Sequence, residues 1–133
     1  MKMLKAVVLA LLVYVAVGAA LMVLVHVVSP ADFDERGRLL GGVASLFGLA
    51  TQGLSCFLAG GVAMACVRGV PWATMVVASS ALFALDLASC AAFWSDAPAW
   101  YNWVTLAMTL PFAALGVAWK AALPQRAQGA EFQ

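Results

Sequence analysis

Charge is scarce in this chain: Lys, Arg, Asp and Glu make up only 10% of its 133 residues, against about 25% in an ordinary soluble domain. With seven bases and six acids the formal net charge is +1, which leaves no basic surface for nucleic acid. There is one histidine and there are three cysteines, with no CxxC or Cys/His spacing among them. Neither a zinc site nor a disulfide frame is expected. Cys56, Cys66 and Cys90 fall in or beside apolar runs and read as packing residues, although helix register could bring Cys56 near Cys90. The chain has no P-loop, GxSxG, HExxH or carboxylate pair at catalytic spacing. It also lacks any polar stretch long enough for a soluble catalytic or DNA-binding domain. A non-enzymatic protein without cofactor or metal is the expectation.

What the chain has is apolar length, with 65% hydrophobic residues. Four runs, Lys5–Val28, Leu39–Val67, Val70–Trp94 and Trp100–Ala122, are followed by a polar tail over 123–133. A helix rises about 1.5 Å per residue, so about 20 apolar residues cross a hydrocarbon core about 30 Å thick. The expected fold is therefore an all-α membrane protein, an antiparallel up-down bundle of four transmembrane helices in one domain. Lys2 and Lys5 before the first run look like the start of a secretory signal, and Val17-Gly18-Ala19 offers small residues for cleavage. A signal's apolar region is about 7–15 residues long. This run continues to Val28, so an uncleaved membrane helix is expected.

Lys and Arg beside membrane helices favour the cytoplasmic side. Four crossings put Lys2, Lys5, Arg68, Lys120 and Arg126 on one face, and Arg36 and Arg38, beside Asp32, Asp34 and Glu35, on the other. Both termini are thus expected in the cytoplasm. Few lysines and a bias to Ala, Val, Leu and Gly suggest a GC-rich bacterium, hence a multi-pass protein of the cell inner membrane. Trp72, Trp94, Trp100, Tyr101, Trp103 and Trp119 lie at predicted helix ends, where amphipathic rings form belts at the headgroups. The Trp100–Trp103 cluster could also face lipid or a partner.

The link Arg68-Gly69-Val70-Pro71 is tight enough to make helices two and three an antiparallel pair. Gly69 suits a left-handed helix end and Pro71 a first helical turn. Asp96 is placed to cap helix four. Ser29-Pro30-Ala31-Asp32 reads as a weak capping box for a short surface turn.

Helix two carries small residues at alternating spacings of three and four: Gly41, Ser45, Gly48, Gln52, Ser55, Ala59 and Ala63. Gly42, Gly53, Cys56 and Gly60 mark an adjacent face. In lipid, helices associate through close approach at small residues and through interhelical hydrogen bonds. Helix two is expected to be central.

Asp86 is the most unusual residue. It lies inside the third run, about eight residues or 12 Å from the aromatic outer end. An acid at the bilayer centre costs about 2.5–3.5 kcal/mol to insert, so either partners offset that cost or the group carries a proton. Thr109 lies at similar depth, and Pro111 frees a carbonyl one turn earlier that Asp86 could reach. Gln52 and Tyr14 sit near the middle of helices two and one. His26, near the outer end of helix one, could pair with Asp86 if the helices tilt. Asp86, Gln52, Thr109, His26 and Tyr14 are thus the candidate intramembrane polar site. It is either a cation, proton or polar-ligand site, or an interhelical clamp or dock for a partner's base. A Ser/His/Asp hydrolase would need Ser79 or Ser89 to converge with His26 and Asp86, and nothing in the spacing requires it.

Pro98-Ala99-Trp100-Tyr101 with Pro111 and Gly116 resembles the last helix of many small bacterial membrane proteins, and that resemblance implies no activity. The four-helix small multidrug exporters carry a Glu in helix one; helix one here has no acid, which sets this chain apart from them. The first expectation is a non-enzymatic accessory or scaffolding subunit, contacting another membrane protein or its own copies through helix two and Asp86. The alternative is a small homo-oligomeric transporter or channel using Asp86 as a protonatable site.

Overall fold

The computed structural model describes residues 2–67 and 69–130, with side chains described as far as Leu123. Arg68 and the side chain of Arg126, both used above to orient the chain, lie outside the described residues. The protein is an all-α bundle of α1 (Lys2–Val28), α2 (Gly42–Cys66), α3 (Pro71–Ala92) and α4 (Ala99–Ala130). All four helices are long and apolar enough to cross a membrane, the apolar part of α4 being Ala99–Leu123.

The centre of the bundle is α2, which packs most extensively on α4 and α1, while α3 lies mainly against α4. Half of the most apolar window of α2 is buried inside the chain, against 6% for α1. The difference follows from side-chain size: α1 is built of Val and Leu and turns most of them outward, whereas α2 offers Gly, Ala and Ser. Ser45, Gly48, Ser55 and Ala59 are all buried, as expected of a packing face. Gly41 is not on that face. It is the N-cap of α2, at φ 133°, and a Cβ there would meet nothing within 4 Å.

The closest approach lies further along. A Cβ on Gly60 would run into the carbonyl oxygen of Ala113, and one on Gly116 into that of Phe57. With hydrogen in place of a side chain at both positions, the backbones of α2 and α4 come into direct contact, which is where dispersion gains are largest in a solvent as apolar as the helices.

The tight α2–α3 link behaves as its sequence implies: Gly69 takes φ 95°, and Pro71 opens α3. The other connections depart from expectation. A 3-10 turn forms over Pro30–Asp32, but Ser29 makes no side-chain cap. Asp32 instead caps α2, accepting a 2.8 Å hydrogen bond from the N–H of Ala44. Nor does Asp96 cap α4, which begins three residues later at Ala99. Its backbone carbonyl accepts from the N–H of Leu39 at 2.8 Å, tying the first and third connections together. Asp34 closes the first connection by accepting from the N–H groups of Arg38 and Arg36, both at 2.8 Å. Those bonds, Arg38 first, hold its carboxyl below the usual carboxylate value.

Asp32→Ala removes the α2 cap and should lower stability by about 1 kcal/mol, measured by denaturant titration of helicity in detergent micelles. Asp32→Asn, which keeps an accepting oxygen, should recover most of the loss. Equal behaviour of the two variants would mean that the cap contributes nothing.

Candidate functional site

Four polar residues of the membrane interior meet at one point, one from each helix. Tyr14 comes from α1, Gln52 from α2, Asp86 from α3 and Thr109 from α4. The Tyr14 hydroxyl bonds the Gln52 side-chain oxygen at 2.9 Å and also Asp86 Oδ1. Gln52 Nε2 donates to Asp86 Oδ2 at 2.7 Å and lies 3.3 Å from Thr109 Oγ1. The Thr109 hydroxyl bonds Asp86 Oδ2 as well as the Thr105 carbonyl, the latter at 3.0 Å. Asp86 is only 3% exposed, and Thr109 is fully buried. Buried at membrane depth, these groups satisfy most of their hydrogen-bonding capacity on one another.

Local structure sets the position of each. Small neighbours on α2 let α1 and α4 come close enough for Gln52 to reach both; Gly18 of α1, for instance, would place a Cβ 3.6 Å from Ser55 Oγ. Asp86 reaches the Thr109 hydroxyl rather than a carbonyl freed by Pro111, which itself faces outward. His26 does not join the site. It is exposed, and its ring packs on Phe33 with centroids 4.6 Å apart, because its position on α1 lies more than three turns from Tyr14. No hydrolytic triad forms either: Ser79 is buried without a hydrogen-bond partner, and Ser89 is exposed.

Above the node lies a cavity of about 480 Å³. Tyr14, Gln52 and Asp86 form its floor, and Phe33, Gly37, Asp96 and Ala97 of the first and third connections form its mouth. On the opposite side of the node Ala10, Cys56, Ala59, Ala78, Leu82 and Ala113 are buried together in the core. All three cysteines are free: Cys90 lines the cavity, Cys56 is in the core and Cys66 is exposed at the far end of α2. Among the described residues no three His, Cys, Asp or Glu side chains gather in a way that could hold a metal ion.

Comparison with known proteins finds no matching family model, no matching curated protein and no matching solved structure. The chain is a small membrane protein with four candidate spans, and its functional reading rests on the node and the cavity.

Sequence reasoning missed Asn102. It is buried, lines the cavity and donates to the Trp94 carbonyl at 3.0 Å, holding the start of α4 against the connection that follows α3. An amide near the head of an apolar helix is a usable signal, but its place in the aromatic cluster Trp100–Trp103 obscured it.

Proposed function

We propose that the protein is a non-enzymatic carrier of small molecules, with its binding site in the cavity that ends on Asp86. The observation that supports this most is the location of the four-helix polar node, at the floor of an open cavity instead of sealed in packing. A cavity of about 480 Å³ is within the range of small-molecule sites, about 300–1,000 Å³, and it shares their pattern of apolar walls around a few convergent polar groups. The reading as an accessory subunit assigned partner contact to helix two and Asp86. Both are engaged inside the chain, by α1 and α4 and by the node respectively, which weighs against that use. With both termini cytoplasmic in a bacterial inner membrane, as the distribution of Lys and Arg suggests, the mouth faces outward. A carrier must also open the other way, and self-association of bundles would leave this site within each chain.

The test needs no knowledge of the ligand. With Cys56 and Cys66 replaced by Ala, a membrane-impermeant methanethiosulfonate reagent should modify Cys90 from the outer face of oriented vesicles, and more slowly from the inner face. Reaction from one face only, or from neither, would make the cavity a fixed feature of a structural bundle and overturn the carrier reading.

A further inference from the structure

We infer that the cavity takes an apolar organic cation and exchanges it for a single proton held on Asp86. This inference rests on the carrier reading and names its substrate class. Three independent features support it.

The first is a count of hydrogens. Tyr14, Gln52 and Asp86 form a closed ring of three contacts, and each contact requires one hydrogen. The Tyr14 hydroxyl supplies one. The Gln52 amide meets the ring with one oxygen and one nitrogen, so it supplies one more, whichever way the amide is turned. The third must come from the carboxyl of Asp86. An ionised Asp86 would leave two oxygens facing each other with no hydrogen between them, at the cost of an unmade bond in a dry site. The closed ring therefore holds a neutral carboxylic acid. The titratable groups that face it are Tyr14 from α1, Cys56 from α2 and Cys90 from its own helix, while α4 presents the neutral Thr109. Among the described residues no base faces the ring to take the proton, so it leaves through the open cavity to water.

The second is charge. Asp86 lies at the floor and Asp96 at the mouth, and among the described residues no Lys, Arg or His lines the cavity. An anionic ligand would find no cationic side chain in the lining to pair with, whereas a cation meets Asp96 at the mouth and, once the proton has left, the Asp86 carboxylate at the floor. The third is the walls. Tyr14, Phe33, Phe93 and Tyr101 put four aromatic rings around a largely apolar lining, and aromatic faces attract cations, most strongly when water is excluded. A cation with an apolar body satisfies both features.

The step conserves charge and atoms. The incoming cation pairs with the Asp86 carboxylate as the carboxyl O–H bond breaks, its electron pair stays on the oxygen, and the proton passes to water in the cavity. The charge inside the bilayer is the same before and after. One of the three ring contacts then lacks its hydrogen, which loosens a link among α1, α2 and α3 when the ligand is present.

The experiment uses the full chain in micelles, with benzyltrimethylammonium as the cation, benzenesulfonate as the anion, and calorimetry in weak buffer. The cation should bind with release of one proton, and its affinity should rise about tenfold per pH unit over the range in which the empty protein is protonated. Benzenesulfonate should not compete. Asp86→Asn should abolish proton release and weaken the cation at least about tenfold. Asp96→Asn, remote from the ring, should weaken it about two- to fivefold with the proton count unchanged. Because the count is made on the unaltered protein, it stands even if the Asp86 variant folds poorly. Binding without proton release, equal binding of the anion, or no binding of the cation would each overturn the inference. Modification of Cys90 from both faces would still uphold the carrier reading in those cases, and failure of that labelling would remove the carrier reading by itself.

Discussion

Gly116→Val should unfold much of the bundle, lowering stability by at least about 3 kcal/mol in detergent. A Cβ at this position points at the carbonyl oxygen of Phe57 and comes within 3.0 Å of the N–H nitrogen of Gly61. Both are backbone atoms of α2, so no rotamer change can relieve the overlap and the helices must move apart. Overpacking of this kind costs about 1–3 kcal/mol and sometimes more, and the separation also forfeits the close contacts that hold helices together in lipid. Gly60→Val should do the same through Ala113. Gly61→Ala is the control: its Cβ would sit 3.6 Å from the Gly116 carbonyl oxygen, an ordinary contact. Ala is a better helix former than Gly by about 1 kcal/mol, so this variant should equal or exceed the original. The measurement is helicity against denaturant in micelles. A Gly116→Val protein with an unchanged midpoint would show that α2 and α4 are not in backbone contact.

Asp86→Leu and Asp86→Asn should differ sharply although both remove the acid. Leucine deletes every hydrogen bond to Asp86 and leaves the groups of Tyr14, Gln52 and Thr109 facing an apolar side chain. Interhelical hydrogen bonds in membrane proteins average about 0.6 kcal/mol, so three of them amount to about 2 kcal/mol. Asparagine brings one oxygen and one N–H to the ring, as the neutral carboxylic acid does. All three ring contacts then keep a hydrogen, and stability should stay within about 0.5 kcal/mol of the original. What Asn cannot do is give up a proton. The same variant thus preserves the clamp and removes the exchange, separating a structural from a functional role of one residue. Should Asn destabilise the bundle as much as Leu, the ring holds an ionised Asp86 and the hydrogen count is wrong.

Much of this was legible without coordinates, and the reason is the cost of polar groups in hydrocarbon. Four apolar runs of spanning length leave little alternative to four helices. The left-handed Gly69 followed by Pro71 marks where the second helix ends and the third begins. Tyr14, Gln52, Asp86 and Thr109 stood out because each is polar at a depth where water is absent. Small residues along helix two identified it as the central element. The limits were equally physical. Gly41 shares the helical spacing of the packing face but lies at the cap, because helix ends depend on backbone hydrogen bonds that periodicity does not reveal. His26 could meet Asp86 only if the helices tilted, and it packs on Phe33 instead. Asp32 proved to be the cap of α2 only through the path of its loop.

The sequence by itself determined the solvent, the number of crossings and which side chains could not face lipid. Lipid is as apolar as Leu or Val, so it exerts almost no preference for how a helix is rotated about its axis. That rotation was decided by tertiary packing, through the contact of Gly60 and Gly116 with facing backbone and the closing of the polar ring. The cavity above Asp86 follows from the same packing: α2 and α4 meet backbone to backbone at Gly60 and Gly116, while α1, α3 and the first and third connections leave a space at the other end that no single segment encodes.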